Sequence, residues 1–120
     1  MPIDPRDLAD EEFCYLKTIG RVTSRPHEIE IWFALGDSGH TLYLLSGGRD
    51  RSDWVKNLRR NPEATVRIGG ERFGGQARFL EEEEEEELAR HLLVTKYERA
   101  LGSLANWRRT ALPVAVDLTG

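Results

Sequence analysis

The run Ser46-Gly47-Gly48-Arg49-Asp50-Arg51-Ser52-Asp53-Trp54-Val55-Lys56-Asn57-Leu58 gathers groups that hold an anion. Its two glycines let backbone N–H groups approach a ligand closely. Arg49 and Arg51 can grip oxyanion oxygens in paired geometry, and a helix starting at Ser52–Asp53 would add its dipole. Asp50 and Asp53 oppose this by repelling negative charge, and glycine pairs are common in plain loops. A second run, Thr18-Ile19-Gly20-Arg21-Val22-Thr23-Ser24-Arg25-Pro26-His27, adds two guanidiniums and three hydroxyls. The order of the elements allows the two runs to share one rim. Converging, residues 20–25 and 46–57 would make a single positively charged cleft for a phosphorylated ligand.

Other chemistries find less support. No Ser, His and Asp set stands out as a nucleophile and its base, and Cys14 has no basic neighbour in sequence to lower its pKa. As the only cysteine it forms no internal disulfide. His27, His40 and His91 lack metal-ligand spacing, so no metal site is expected. His27 reads as a strand end that could touch a ligand oxygen. Glu30, sharing a strand face with Glu28 and Trp32, reads as an arginine partner or a ligand contact, and Trp32 and Trp54 read as packing. Tyr97 falls at helical spacing with Leu93 and Leu101, so its ring reads as core. Its hydroxyl then needs a partner, which a site-facing orientation would supply. Little acid–base machinery is in view, a pattern that agrees with enzymes in which a bound cofactor carries the reaction and the protein binds, orients and excludes water.

Composition sets the frame. The 120 residues are 39% apolar and 32% charged, enough for one domain and one core. The longest apolar stretches are far below the ~20 residues that span a bilayer, and the N-terminus lacks a signal-peptide layout; a cytoplasmic protein is expected. Net charge is −4, yet Glu81–Glu87 supply seven carboxylates and the rest of the chain carries +3. That tract reads as a solvated helix start. Overall acidity, with no aromatics interleaved among the basic residues, argues against a nucleic-acid partner.

Periodicity gives the elements. Residues 5–17 predict a helix with Leu8, Phe13, Leu16 and Cys14 on one side, ended by Gly20 before a short strand at 21–23. Residues 27–35 alternate cleanly, with His27, Ile29, Ile31, Phe33 and Leu35 on one face. A turn at 36–39 and a returning strand at 41–46 follow. A helix is expected from Ser52 to Arg60, strands at 64–68 and 72–80, and a helix over 82–101 carrying Leu88, Leu92, Leu93, Tyr97 and Leu101. A short segment at 104–109 leads to a last strand at 113–118. Hairpin-joined strands around so small a core favour an antiparallel sheet closed on itself.

Taken in order, Thr18–Pro26, Trp32, Ser46-Gly47-Gly48, Trp54, Asn57-Leu58, Asn61-Pro62, Val66 and Arg109–Val114 resemble the deazaflavin (F420)-dependent nitroreductase family. That family belongs to the flavin-binding split-barrel superfamily, which includes the pyridoxamine-phosphate oxidases. The resemblance implies an α+β fold, mainly antiparallel: a six-stranded split β-barrel with flanking helices. It implies bound F420, with FMN as alternative, and hydride transfer to a quinone, nitro compound or activated alkene. Carried over by position, Arg21, Thr23, Ser24 and Arg25 would hold the cofactor's phosphate or acidic tail, with His27 beside them. Ser46, Gly47 and Gly48 would line the ring or ribityl portion, Arg51, Trp54 and Asn57 would complete the groove, and Tyr97 would stand on the substrate side. Val22 replaces a frequent Lys, Ser24 a common Gly, and His27 a frequent Arg, which softens the phosphate end. A small-molecule electron acceptor is the expected partner, as homodimer or monomer. A cofactor carrier without turnover is the competing reading.

Overall fold

The computed structural model describes residues 4–101 and 104–119. Among the described residues a 3-10 turn at Pro5–Leu8 is followed by seven strands and three α-helices in chain order, with a second 3-10 turn at Arg49–Arg51 between the fourth strand and the first helix. They are β1 (Cys14–Ile19), β2 (Pro26–Ile31), β3 (Ala34–Leu35), β4 (Thr41–Ser46), α1 (Asp53–Arg60), β5 (Glu63–Ile68), β6 (Glu71–Phe79), α2 (Glu83–Leu101), α3 (Ala105–Thr110) and β7 (Leu112–Leu118).

All neighbours in the sheet are antiparallel, in the order β2-β1-β5-β6-β7-β4-β3. The two outermost strands, β2 and β3, are consecutive in the chain, so one extended segment leaves one edge and joins the other. That forces the sheet to curl. Counting this bent segment as one strand recovers the six-stranded split barrel expected from the sequence.

Side-chain alternation explains how the curl is filled. Leu42, Leu44, Val114 and Val116 point inward with Cys14, Leu16, Phe33, Val66 and Ile68. On the same strands Tyr43, Leu45 and Ala115 point outward, where Ala89, Leu93 and Tyr97 of α2 cover them. β4 is therefore buried on both faces, whereas β1, β5 and β6 alternate between core and water. The alternation expected over 29–35 holds: Ile29, Ile31, Phe33 and Leu35 join the inner core, Trp32 and Ala34 the outer one. α1 packs on β1 and sends Leu58 into the inner core.

Three sequence expectations are corrected. Residues 5–17 are not a helix: only Pro5–Leu8 turn, and Cys14–Ile19 form a strand held by β2 on one side and β5 on the other. Residues 21–23 are not a strand but part of the tight β1–β2 turn, in which Ser24 N–H donates to Gly20 O at 2.9 Å. On α2 the covered stripe is Ala89, Leu93 and Tyr97, with Leu88 exposed; the side chain of Leu101 lies outside the described residues. The glutamate tract is largely solvated as expected, although Glu85 receives Arg78 at 2.7 Å and Tyr43 Oη at 2.8 Å, Glu86 pairs with Arg90 at 4.0 Å and Glu87 accepts from Arg108.

Candidate functional site

The β1–β2 turn and α1 meet at one end of the curl. Arg21 ties them: its backbone N–H donates to Asn57 Oδ1 at 3.2 Å, its Nη1 to the same oxygen at 2.9 Å, and its Nη2 to Asp53 Oδ1 at 3.2 Å. Asn57 Nδ2 in turn donates to Thr18 Oγ1 at 3.1 Å. Thr18 and Asn57 are both buried, so this chain of polar groups is satisfied internally. Asp53 and Asn57 stand four residues apart on α1 and so share a face.

Around this network lies a cleft of about 410 Å³, walled by Thr18, Gly20, Arg21, Val22, Thr23, His27, Glu28, Ile29, Asp53, Trp54 and Asn57. Its volume falls in the range of small-molecule sites. Its lining combines polar side chains, Arg21, Thr23 and Asn57, with apolar ones, Val22, Ile29 and the Trp54 indole. His27 lies against Gly20: a Cβ there would come within 2.7 Å of His27 Nε2, so glycine is what lets the ring fold down onto the turn. Glu28 pairs with Arg67 at 3.3 Å, while Glu30 accepts from Tyr15 Oη at 3.1 Å instead of taking an arginine.

The turn carries the departure noted in sequence. Ser24 has φ +60, in the left-handed region that favours glycine. The backbone shape is thus one a glycine would adopt freely, and serine holds it through the bonds from Ser24 N–H to Gly20 O and from Gly20 N–H to Arg25 O. Thr23 Oγ1 accepts the Arg25 N–H at 3.3 Å.

Of the residues singled out in sequence, Arg21, Thr23, His27, Trp54 and Asn57 line the cleft. Ser24 and Arg25 sit exposed on the same turn, outside the lining. The Ser46–Arg51 portion is not brought to the cleft wall. Ser46 Oγ is taken up by Arg49 O at 3.0 Å and Ser52 Oγ at 2.7 Å, and a Cβ on Gly48 would strike that same Ser52 hydroxyl. Gly47 faces Trp107 of α3, Arg49 reaches Thr110 O, and Arg51 is exposed. The expected meeting of 20–25 with 46–57 is therefore a meeting with the helical half, 53–57. Asp53, read in sequence only as a helix start that would repel an anion, proves to be the partner of Arg21. Its spacing to Asn57 was the available signal. The lining is also less positive than expected, since Asp53 and Glu28 accompany Arg21.

Tyr97 is placed elsewhere. Its ring stacks on Trp32, centroids 4.3 Å apart and planes 8° from parallel, and Trp107 meets Trp32 edge-on. The hydroxyl accepts the Phe33 N–H at 3.0 Å and lies 2.8 Å from Glu12 O and 3.1 Å from Phe33 O. The partner this buried hydroxyl needs is thus backbone, not ligand. Burial pushes its pKa up, so it holds its proton firmly.

Residues 6–119 match the model of a family described as F420H(2)-dependent quinone reductase. The F420H(2)-dependent quinone reductase of Mycobacterium tuberculosis is 33% identical over 64 residues, 52% of this chain and 43% of that protein. The aligned stretch thus spans less than half the length of that relative. Among solved structures, an F420-H2 dependent reductase superposes with TM-score 0.70 at 21% identity, covering 88% of this chain and 94% of the other. A FAD-binding protein from Mesorhizobium loti superposes with TM-score 0.69 at 14% identity, over 98% and 88%. These two likenesses show the split-barrel fold. No helix among the described residues is long and apolar enough to cross a membrane.

Proposed function

We propose, for a chain that belongs to the F420H(2)-dependent quinone reductase family, that the cleft between the β1–β2 turn and α1 binds F420 and that the protein uses it to reduce a quinone-like acceptor. The observation that carries this reading is the Thr18–Asn57–Arg21–Asp53 chain. It fixes a guanidinium at the wall of a concave site whose lining also includes two threonines and an indole.

The donor set suits a phosphorylated, partly aromatic group. Arg21 and the Thr23 hydroxyl supply hydrogen-bond donors to phosphate oxygens. Trp54, Ile29 and Val22 give an apolar wall against which a ring or its linker can lie. A cleft of about 410 Å³ holds part of a cofactor as large as F420, leaving the remainder to extend over the rim. When bound and reduced, the deazaflavin supplies the hydride. The protein binds and orients it, and the apolar wall limits water beside it. His27, exposed in the lining, places an imidazole within reach of ligand oxygens at the same wall. FMN binding, and cofactor binding without turnover, remain distinct outcomes of the same test.

Fluorescence titration of purified protein with F420 and with FMN tests binding, and oxidation of reduced F420 by menadione tests turnover. F420 binding and menadione-dependent oxidation above the protein-free rate are expected. Arg21→Met should weaken F420 binding about tenfold or more, as expected for losing a charged hydrogen-bond donor. Binding unchanged in Arg21→Met would remove the cleft from the reading, and no oxidation across several quinones and nitro compounds would reject the activity.

A further inference from the structure

The buried polar chain behind the cleft leaves one proton over. Arg21 offers Asn57 only donors, its backbone N–H and Nη1, so the amide atom that both of them meet is the oxygen. The amide nitrogen is therefore the atom that faces Thr18, and Nδ2 donates to Thr18 Oγ1 at 3.1 Å. A hydroxyl that accepts there still has its own proton to place. Among the described residues that proton meets no acceptor. Thr18 and Asn57 are only 1% and 4% exposed, so little solvent reaches them. An idle donor at that depth is costly. Thr18 ends the inward row of β1, after Cys14 and Leu16, at the point where that row reaches the cleft lining. A valine of the same shape would simply continue the apolar pattern.

Resting on the cofactor site proposed above, the geometry points to the Thr18 hydroxyl as a binding group on the cleft floor that donates to an oxyanion oxygen of the cofactor. The bonds run in one direction: Arg21 donates to Asn57, Asn57 to Thr18, and Thr18 into the cleft. A chain of donors ends on an acceptor, and each bond in it polarises the next. Arg21 and Thr23 share the same lining and bring further donors, so the acceptor that suits all three is a phosphate or carboxylate oxygen. This sets the oxyanion inside the cleft, below the exposed tip of the turn where Ser24 and Arg25 stand.

The test is fluorescence titration with F420, with the deazaflavin core bearing a phosphate but no tail, and with the bare core. The proteins are wild type, Thr18→Val, Thr18→Cys, Thr18→Ser, Arg21→Met and the double variant Thr18→Val/Arg21→Met. Thr18→Val keeps the shape and deletes the hydroxyl. The thiol of Thr18→Cys still accepts from Asn57 but donates weakly, so it reads the lost donor even where valine disturbs Asn57. Both should weaken F420 binding about tenfold or more, the scale of a hydrogen bond to a charged acceptor. Thr18→Ser should stay within about threefold of wild type, because it keeps the donor. The bare core should bind wild type and the single Thr18 variants alike. A loss shared by the phosphate-bearing core places the oxygen on the phosphate, and a loss seen with F420 alone places it on the tail. In the Arg21→Met background Thr18→Val should weaken F420 further. A loss that vanishes there means that Thr18 acts only by holding Arg21 through Asn57, and it overturns the contact. Unchanged F420 binding in Thr18→Val and Thr18→Cys, or an equal loss for the bare core, also overturns it, while weaker binding in Arg21→Met keeps the cleft. Wild type that fails to bind F420 overturns the contact together with the cofactor site.

Discussion

Phe33 carries its peptide N–H and C=O into the interior between β2 and β3, where neither ladder reaches them. Tyr97 Oη meets both, and Lys96 Nζ adds a bond to Phe33 O at 3.0 Å. Buried peptide groups are costly to leave unpaired, so the bend that lets one segment serve two sheet edges depends on these two side chains. Tyr97→Phe keeps the ring stacked on Trp32 and deletes only the hydroxyl. Phe33 N–H then loses its partner, and stability in urea should fall by about 1–3 kcal/mol. Turnover per folded molecule, with reduced F420 and menadione, should stay within about twofold, since no contribution of the size typical of a proton donor is lost. The opposite pattern, unchanged stability with turnover reduced tenfold or more, would return this tyrosine to the chemistry.

At the scale of elements, the curl demands close approach between β6 and β7. Gly75 stands opposite Leu118, and a Cβ on it would lie 2.7 Å from Val116 Cγ1 and 2.9 Å from Asp117 O. The second contact is backbone and cannot step aside. Gly75→Ala should cost about 1–3 kcal/mol by overpacking. Gly70→Ala, at φ +87 with nothing within 4 Å of the new methyl, should cost about 1 kcal/mol from backbone strain alone. Urea denaturation of the pair measures the contrast, and equal losses would mean that β6 and β7 have room to part. The same β-ladders show what was legible in the chain. The hairpin at 36–39, the strands around 64–80 and the final strand were readable because alternation and turn glycines agree. Residues 5–17 were not, because Leu8, Phe13 and Leu16 happen to fit a helical stripe. What decides is pairing: β1 lies between β2 and β5, and Cys14, Leu16 and Thr18 turn inward at period two. The candidate site was half legible for a related reason. Arginines and hydroxyls marked the β1–β2 turn, but which half of 46–57 faces it depends on where α1 docks on β1, and no local pattern carries that.

Across the whole molecule, the bent segment closes the curl over a patch where burial works against the charged form of both a base and an acid. Desolvation lowers Lys96 from 10.5 to about 8, and raises the Cys14 thiol from 9.0 to about 12, each feeling the other's charge. Their effects on stability have opposite signs. Between about pH 8 and 10.5 the unfolded chain keeps the lysine proton that the folded one has released, so stability rises with pH over that window. Between about pH 9 and 12 the unfolded chain loses the thiol proton that the folded one retains, so stability falls. Tyr43, raised to about 12 by burial and Glu85, adds to the fall. The lysine shift alone would be worth about 3 kcal/mol, and solvent at its half-buried ammonium reduces this to about 1–2 kcal/mol. Lys96→Met isolates it. Its stability relative to wild type carries a constant offset from the lost bond to Phe33 O, and that offset is not the readout. The readout is the slope: wild type should gain on Lys96→Met by about 1–2 kcal/mol as the pH of urea denaturation is stepped from 8 to 10.5. A flat difference across that window would mean that the ammonium is as well solvated in the fold as in the unfolded chain, and that the Phe33 bend opens to water.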